Sequence, residues 1–180
     1  LAVRVDHSRF ADSRFYTGSG IYRDTWLIKA GKSHFAQWGV GYETVSLTDK
    51  QAVLKVDAAI EGLSGVSASV NLALKDASGV IVAKTSAKAA ASQKIDLKVR
   101  NPHRWNLDDP YLYTLEASIV AGGKVLDKAE VGVGIRTLEF SADHGFALNG
   151  RNIKVKGVCL HHDLGVFGAE FNRDAARRQL

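Results

Sequence analysis

The sequence has 180 residues, of which 46% are hydrophobic, and it carries a formal net charge of +5 with a pI near 9.4. This length allows one or two domains, and this apolar fraction supports a sizeable core. Lysine and arginine stand singly among acidic residues, so the clustered basic face that nucleic acid requires is missing. No window approaches a run of 18 apolar residues, and we therefore expect neither a nucleic-acid partner nor a membrane-spanning helix.

Residues 1–30 form a first block with two predicted strands. Residues 1–6 alternate between apolar and polar types, which is typical of a half-buried strand and not of a signal peptide. A turn-rich stretch over residues 13–20 precedes a second strand over residues 21–30. Because two strands cannot bury both of their faces, this block predicts a piece of a larger sheet, and hence of a longer protein.

Residues 31–137 form a second block in which period-two alternation recurs between turn signals. Successive apolar faces are expected at residues 52–60, 66–74, 80–82, 95–99, 111–119 and 131–135, with a weaker run at 42–47. About seven short strands at this spacing indicate an antiparallel, immunoglobulin-like β-sandwich. The fold class predicted for the chain is therefore mainly β.

Residues 138–180 form a third block. An Asn149-Gly150 turn follows residues 146–148 and leads to a predicted strand over residues 153–158. Cys159 is the single cysteine, so no internal disulfide can form and the compartment stays open; we expect its thiol to be buried. A helix is predicted to start near Asn172, a suitable N-cap residue.

The densest polar cluster is His161, His162 and Asp163, directly after this last strand. Adjacent histidines on a strand point to opposite faces, whereas a metal site needs three or four convergent ligands. We therefore expect no metal and no cofactor here. Two interpretations stay open from the residues alone: a wall of a sugar site, and a structural role in packing and loop capping.

Two further motifs have a structural and a functional interpretation. Trp105 and Tyr111, in a proline-bounded stretch, could stack on sugars, but aromatics buried in the sandwich or at its edge are the favoured interpretation. The glycines in residues 131–136 stand inside a strand pattern with no helix after them, which argues against a phosphate loop.

Four stretches, residues 13–26, 101–115, 131–136 and 148–163, resemble glycoside hydrolase family 2 in that family's own order. The family contains β-galactosidases, β-glucuronidases and β-mannosidases. The resemblance implies that residues 1–30 end a jelly-roll sugar-binding domain. It also implies that residues 31–137 are the sandwich and that residues 138–180 supply the first strand and helix of a (β/α)8 catalytic barrel.

The resemblance further implies substrate-binding roles for His161, His162 and Asp163 at the mouth of that barrel. The match is incomplete, because Leu160 replaces an arginine and His162 a glutamate of the family motifs. Retaining hydrolysis needs two carboxylates, which in this family are glutamates, the first preceded by asparagine. No Asn-Glu pair occurs in the sequence, so no catalytic residue is assigned and the chain alone is expected to be inactive.

The favoured interpretation is a fragment of a β-galactosidase-like hydrolase that acts on terminal β-linked sugars and forms a homo-oligomer. The alternative is a stand-alone β-sandwich module that binds carbohydrate or mediates adhesion without enzyme activity. A barrel strand and helix after the sandwich would have no purpose in that alternative.

Overall fold

The computed structural model describes residues 2–6, 8, 20, 21, 24–159 and 172–179. Contacts between Cα atoms divide the chain into two units: residues 29–154, here called the sandwich unit, and the segments 1–28 and 155–180, here called the terminal unit. All strands of the described part lie in the sandwich unit. Their bounds are β1 His34–Leu47, β2 Gln51–Glu61, β3 Ser69–Lys75, β4 Ile81–Lys88, β5 Ser92–Arg100, β6 Tyr113–Ala121, β7 Lys124–Val133, β8 Leu138–Ser141, β9 Gly145–Leu148 and β10 Arg151–Asn152.

The first seven strands form two antiparallel sheets, which confirms the predicted sandwich. One sheet has the order β1-β2-β5 and the other β4-β3-β6-β7. The fourth strand thus lies at the edge next to β3, whereas an immunoglobulin constant domain places its fourth strand beside the fifth. A third, small sheet follows, in which β9 lies between β8 and β10.

The core lies between the two large sheets and is built from the alternating positions of their strands. On β2, residues 52, 54, 56, 58 and 60 are buried while their neighbours are partly exposed. Strands β3, β5 and β6 repeat this pattern, and Leu54, Leu74 and Leu115 are fully buried. Each such side chain contributes about 1.5–3 kcal/mol relative to an exposed one, so burial of these faces stabilises the two-sheet arrangement.

The residues in the turns explain why the chain reverses direction there. The Asp76 carboxylate accepts hydrogen bonds from the N–H groups of Ser78 and Val80, both at 2.9 Å, which closes the β3–β4 turn. Gly122 and Gly123 connect β6 to β7 with φ of 55° and 76°. Asn149 and Gly150 connect β9 to β10 with φ of 51° and 76°. Two consecutive positive φ angles are typical of the type I′ hairpin turn, which favours Asn-Gly and Gly-Gly.

Strand β1 contains a large irregular bulge of four residues. The register moves from Phe35 opposite Ile60 to Val40 opposite Ala58, so four residues of β1 face one of β2. Within the bulge Trp38 has φ 58° and its surface is 92% exposed. Gly39 is required next to it, because a Cβ there would lie 2.7 Å from the carbonyl oxygens of Ala36 and Ala59.

The beginning of β1 is also attached to the opposite sheet. The Phe35 N–H donates to the Asp127 carboxylate of β7 at 2.8 Å. Farther along β1, the Tyr42 hydroxyl accepts the Gly134 N–H at 2.9 Å, just beyond the end of β7. The first and last strands of the sandwich are therefore joined at two points.

The terminal segments differ from the sequence-based expectation. The described parts of the predicted jelly-roll strands (residues 2–6, 21 and 24–30) and of the predicted barrel strand (153–158) carry no regular secondary structure. A strand needs a hydrogen-bonded neighbour, and none of the ten described strands lies in the terminal unit. The sandwich unit ends at residue 154 and so includes β8, β9 and β10.

The predicted helix is present as α1, Arg173–Gln179, and the Asn172 side chain accepts the Ala175 N–H at 2.9 Å as its N-cap. Among the described residues no helix is long and apolar enough to cross a membrane. Cys159 is exposed, which corrects the expectation of a buried thiol. That expectation assumed a formed barrel strand around it.

Candidate functional site

The predicted sugar-binding residues His161, His162 and Asp163 lie outside the described residues. The nearest described site along the chain is the place where the polypeptide passes from the end of β7 to the small sheet of β8, β9 and β10. Tyr42, Trp105, Gly134, Arg136 and Asn149 meet there, and we call this cluster the exit junction. It is built by β1, by the loop after β5, by the residues after β7 and by the β9–β10 turn.

Asn149 connects three parts of this junction. Its side-chain oxygen accepts the Thr137 N–H at 3.0 Å, and its amide donates to the Trp105 carbonyl at 3.0 Å. Its own backbone N–H donates to the Thr137 carbonyl at 2.9 Å. Asparagine suits this position because it tolerates a positive φ while offering both a donor and an acceptor. The turn residue predicted from Asn149-Gly150 therefore also fixes the β9–β10 hairpin to the sandwich.

Trp105 is the centre of the junction. The Arg136 guanidinium carbon lies 4.7 Å from the centre of its ring, which is the geometry of a cation–π contact. A Cβ at Gly134 would lie 2.9 Å from the indole, so glycine is needed for the ring to approach the backbone. The Trp105 N–H of the main chain donates to the Ile135 carbonyl at 2.9 Å. Arg136 and Gly134 thus contact the indole ring, and a hydrogen bond to Ile135 fixes the backbone of Trp105.

Both the ring and the hydroxyl of Tyr111 contact other residues of the protein. Its ring stacks on His103 at 4.0 Å with an interplanar angle of 7°, and it forms a T-shaped contact with Tyr113. Its hydroxyl accepts the Ala77 N–H at 3.0 Å. Both aromatics are therefore half-buried residues of the sandwich unit, and one face of each ring is occupied by a protein group, which agrees with the favoured structural interpretation.

The electrostatics of the sandwich unit favour ionised carboxylates. The Lys75 ammonium donates to Glu116 at 2.8 Å and holds the pKa of that carboxyl below its usual range. Hydrogen bonds from Ser78 and Val80 lower the pKa of Asp76 in the same way. A general acid for glycoside hydrolysis needs the opposite shift. Burial raises the pKa of the Tyr113 hydroxyl, which accepts the His103 N–H at 2.7 Å.

A metal centre is likewise unsupported over residues 24–159 and the shorter described segments, where no group of three or more potential ligands converges. In the exit junction, the Trp105 ring, the Arg136 guanidinium and the Asn149 amide hold segments of the backbone in place. Two features of the sequence pointed to the exit junction, the Asn149-Gly150 turn and the glycine at position 134. The hydrogen-bond partners of Asn149 could not be predicted from the spacing of residues.

Comparison with known proteins decides the family. The sequence model described as glycosyl hydrolases family 2 matches residues 36–136, which is more than half of the chain. The chain belongs to this family. The resemblance drawn from the sequence motifs is thereby confirmed.

Individual relatives cover more of the chain than the sandwich. A β-galactosidase of Bacteroides ovatus is 42% identical over 100% of this chain and 22% of its own length. A β-glycosidase structure from Bacteroides vulgatus superposes with a TM-score of 0.86 at 32% identity, covering 97% of this chain and 23% of that one. A β-glucuronidase from Ruminococcus gnavus in complex with D-glucuronic acid has a TM-score of 0.67 at 28% identity, covering 82% and 24%.

The chain spans between 17% and 23% of the length of the first three curated relatives it matches. These relatives are glycosidases by name, and sugar is the ligand in the complex above. Family and fold are established for this chain by these matches.

Proposed function

We propose that this chain is part of a β-glycosidase that hydrolyses terminal β-galactosides or related β-glycosides, and that it supplies the non-catalytic sandwich. The observation that supports this most is the extent of the similarity to the β-galactosidase. It runs over the full chain at 42% identity and thus includes the segments before and after the sandwich.

Within this proposal, residues 1–30 close a jelly-roll domain and residues 138–180 open the catalytic barrel. The exit junction would then hold the chain at the sandwich before it enters the barrel. His161, His162 and Asp163 would form one wall of the sugar pocket, with Asp163 accepting a hydrogen bond from a sugar hydroxyl. Homo-oligomer formation by the longer enzyme stays a prediction.

Substitution of Asp163 by Asn in the longer enzyme tests the sugar-site assignment. A hydrogen bond to a charged acceptor contributes about 1.5–3 kcal/mol, so kcat/KM for a chromogenic β-galactoside should fall roughly ten- to hundredfold. The melting temperature should stay near that of the parent. The matched control is Asp143→Asn on the exposed β8–β9 turn, which should leave both quantities unchanged. A lower melting temperature with near-normal kinetics would instead make Asp163 a loop cap.

The stand-alone module is the competing function, and turnover distinguishes the two. The 180-residue chain by itself should hydrolyse none of the chromogenic β-galactoside, β-glucuronide and β-mannoside substrates, since no catalytic pair is assigned in it. The longer protein should hydrolyse at least one of them. A longer protein that binds sugar without turnover would favour the module.

A further inference from the structure

Asn149 is the one asparagine of the sequence that is followed by glycine; the other five precede leucine, proline, isoleucine or arginine. In an Asn-Gly step the backbone nitrogen of the glycine can attack the side-chain amide carbon of the asparagine. Other residues hinder this attack, because their side chains crowd the nitrogen, whereas glycine has no Cβ. The Asn149-Gly150 turn thus contains two groups that can react with each other without an enzyme.

The surroundings of Gly150 leave its backbone open to solvent. Leu148 pairs with Arg151, so residues 149 and 150 alone form the turn at the end of the hairpin. Gly150 is exposed, and nothing lies within 4 Å of the point that a Cβ on it would occupy. Solvent can therefore supply both the base that removes the Gly150 amide proton and the water that completes the reaction.

The exit junction holds the other reacting group. The Asn149 Oδ1 atom accepts the Thr137 N–H, and its Nδ2 atom donates to the Trp105 carbonyl, both at 3.0 Å. In the attack the amide carbon becomes tetrahedral and Nδ2 departs as ammonia, which cannot be completed while both hydrogen bonds persist. Two such bonds, at their typical net strength, leave the side chain released in roughly one molecule in 30.

We propose that Asn149 is a site of spontaneous deamidation and that the reaction marks chains whose exit junction has opened. The Gly150 nitrogen loses its proton to solvent base and bonds to Asn149 Cγ, while the Cγ–Nδ2 bond breaks and ammonia leaves. Water then opens the resulting cyclic succinimide at either carbonyl, which gives aspartate or isoaspartate. The net change is the uptake of one water and the release of one ammonia. The proposal does not depend on the activity of a longer enzyme.

The products do not fit the junction that asparagine builds. An aspartate at position 149 has no N–H for the Trp105 carbonyl and places a carboxylate oxygen beside that acceptor. An isoaspartate adds a methylene to the backbone of a turn that has only two residues, so the pairing of Leu148 with Arg151 is lost. A chain that reacts while its junction is open is thereby prevented from closing it again.

Incubation of the 180-residue chain at mildly alkaline pH, folded in buffer or unfolded in urea, tests the proposal. Trypsin releases residues 137–151 as one peptide in which Asn149 is the sole asparagine, so mass spectrometry follows its conversion to the heavier acid. The folded chain should react roughly 30-fold more slowly than the unfolded chain. In the unfolded chain, Asn149 should react before the other five asparagines.

Three variants distinguish opening of the junction from unfolding of the whole chain. Trp105→Ala removes the ring that holds its own segment, so the folded variant should react roughly tenfold faster than the parent. Arg136→Ala loses the cation–π contact and should react about 2- to 5-fold faster. The control Gly65→Ala strains a loop in which nothing lies within 4 Å of the added Cβ, and it should react like the parent. Circular dichroism establishes that each variant is folded.

Three results would overturn the proposal. The first is a folded chain that reacts as fast as the unfolded one, or faster, because the junction would then not protect the amide. The second is an Asn149 that reacts no faster than the other asparagines of the unfolded chain. The third is an acceleration by Gly65→Ala as large as that by Trp105→Ala or Arg136→Ala, which would mean that the reaction requires unfolding of the whole chain.

Discussion

Two of the three tryptophans, Trp38 and Trp105, differ in how much their side chains are buried and in how much they stabilise the fold. Trp38 is 92% exposed in a left-handed backbone conformation, which costs an L-residue roughly 1–2 kcal/mol. Trp105 is half-buried, lies under the Arg136 guanidinium and packs against Gly134. The side chain of Trp38 therefore contributes little to the stability of the sandwich, whereas that of Trp105 contributes through contacts on several sides.

Replacement of each tryptophan should separate these contributions. Trp38→Gly should relieve the backbone strain, which raises the free energy of unfolding. Glycine makes the unfolded chain more flexible, and this lowers the free energy of unfolding by about 0.5–1 kcal/mol. The free energy of unfolding should therefore stay unchanged or rise by up to about 1 kcal/mol. In Trp105→Ala it should fall by about 2 kcal/mol, below the loss for a fully buried tryptophan. Urea unfolding followed by circular dichroism measures both, and a destabilised Trp38→Gly would show that the exposed indole has an internal contact.

Among the connections between elements, the loop after β2 is the most constrained. Gly62 and Gly65 both have φ 72°, but a Cβ on Gly62 would lie 1.7 Å from the Lys32 carbonyl oxygen, while nothing lies within 4 Å of one on Gly65. The Gly62 carbonyl also accepts the hydroxyl of buried Ser33 at 2.7 Å. The two glycines thus share a backbone conformation and differ in their surroundings.

This pair provides a matched test of steric contact. Gly65→Ala should lower the free energy of unfolding by about 1 kcal/mol, the cost of a left-handed alanine. Gly62→Ala should lower it by several times that amount, because the backbone of residue 32 must move as well. Thermal unfolding of the two variants against the parent gives the comparison. Equal losses would mean that the loop shifts freely and that the contact with Lys32 does not constrain it.

Periodicity predicted most strands of the sandwich because one face of each is buried, and β2, β3, β5 and β6 follow their apolar alternation closely. It recovered only residues 42–47 of β1, since the bulge at residues 36–39 interrupts the alternation. At residues 2–6 and 153–158 the alternation did not yield a strand, because a pattern specifies a face but supplies no neighbour. The contact of Asn149 with Trp105 could not be predicted either, because it joins residues 44 positions apart.

At the scale of the whole molecule, the buried apolar core is contained in the sandwich unit. Every buried hydrophobic residue of the described part lies between Phe35 and Leu148. The hydrogen bond of β1 to Asp127 of β7, its hydrogen bond to Gly134 just beyond β7, and the exit junction all lie in the same unit. The terminal unit adds one short helix with no buried residue.

Residues 29–154 should therefore fold on their own. Expressed alone, this segment should unfold in one cooperative transition with a melting temperature close to that of the 180-residue chain. The ¹H–¹⁵N spectra of the two should agree over strands β1–β7. A segment that lacks dispersed signals would show that the terminal unit is required for the sandwich to form.

The two hydrogen bonds that join β1 to β7 and to Gly134 also determine when β1 can be fixed in place during synthesis of the chain. Phe35 and Tyr42 each find their partner 92 residues later in the chain. At about 5–20 residues per second, a ribosome needs roughly 5–20 s to produce that partner after the first strand has been made. Throughout this interval β1 can pair with β2, and β2 with β5, but β1 cannot be bonded to the opposite sheet. A nascent chain of this protein thus leaves the apolar inner face of its first sheet uncovered for seconds, and that interval is when holding chaperones would act on it.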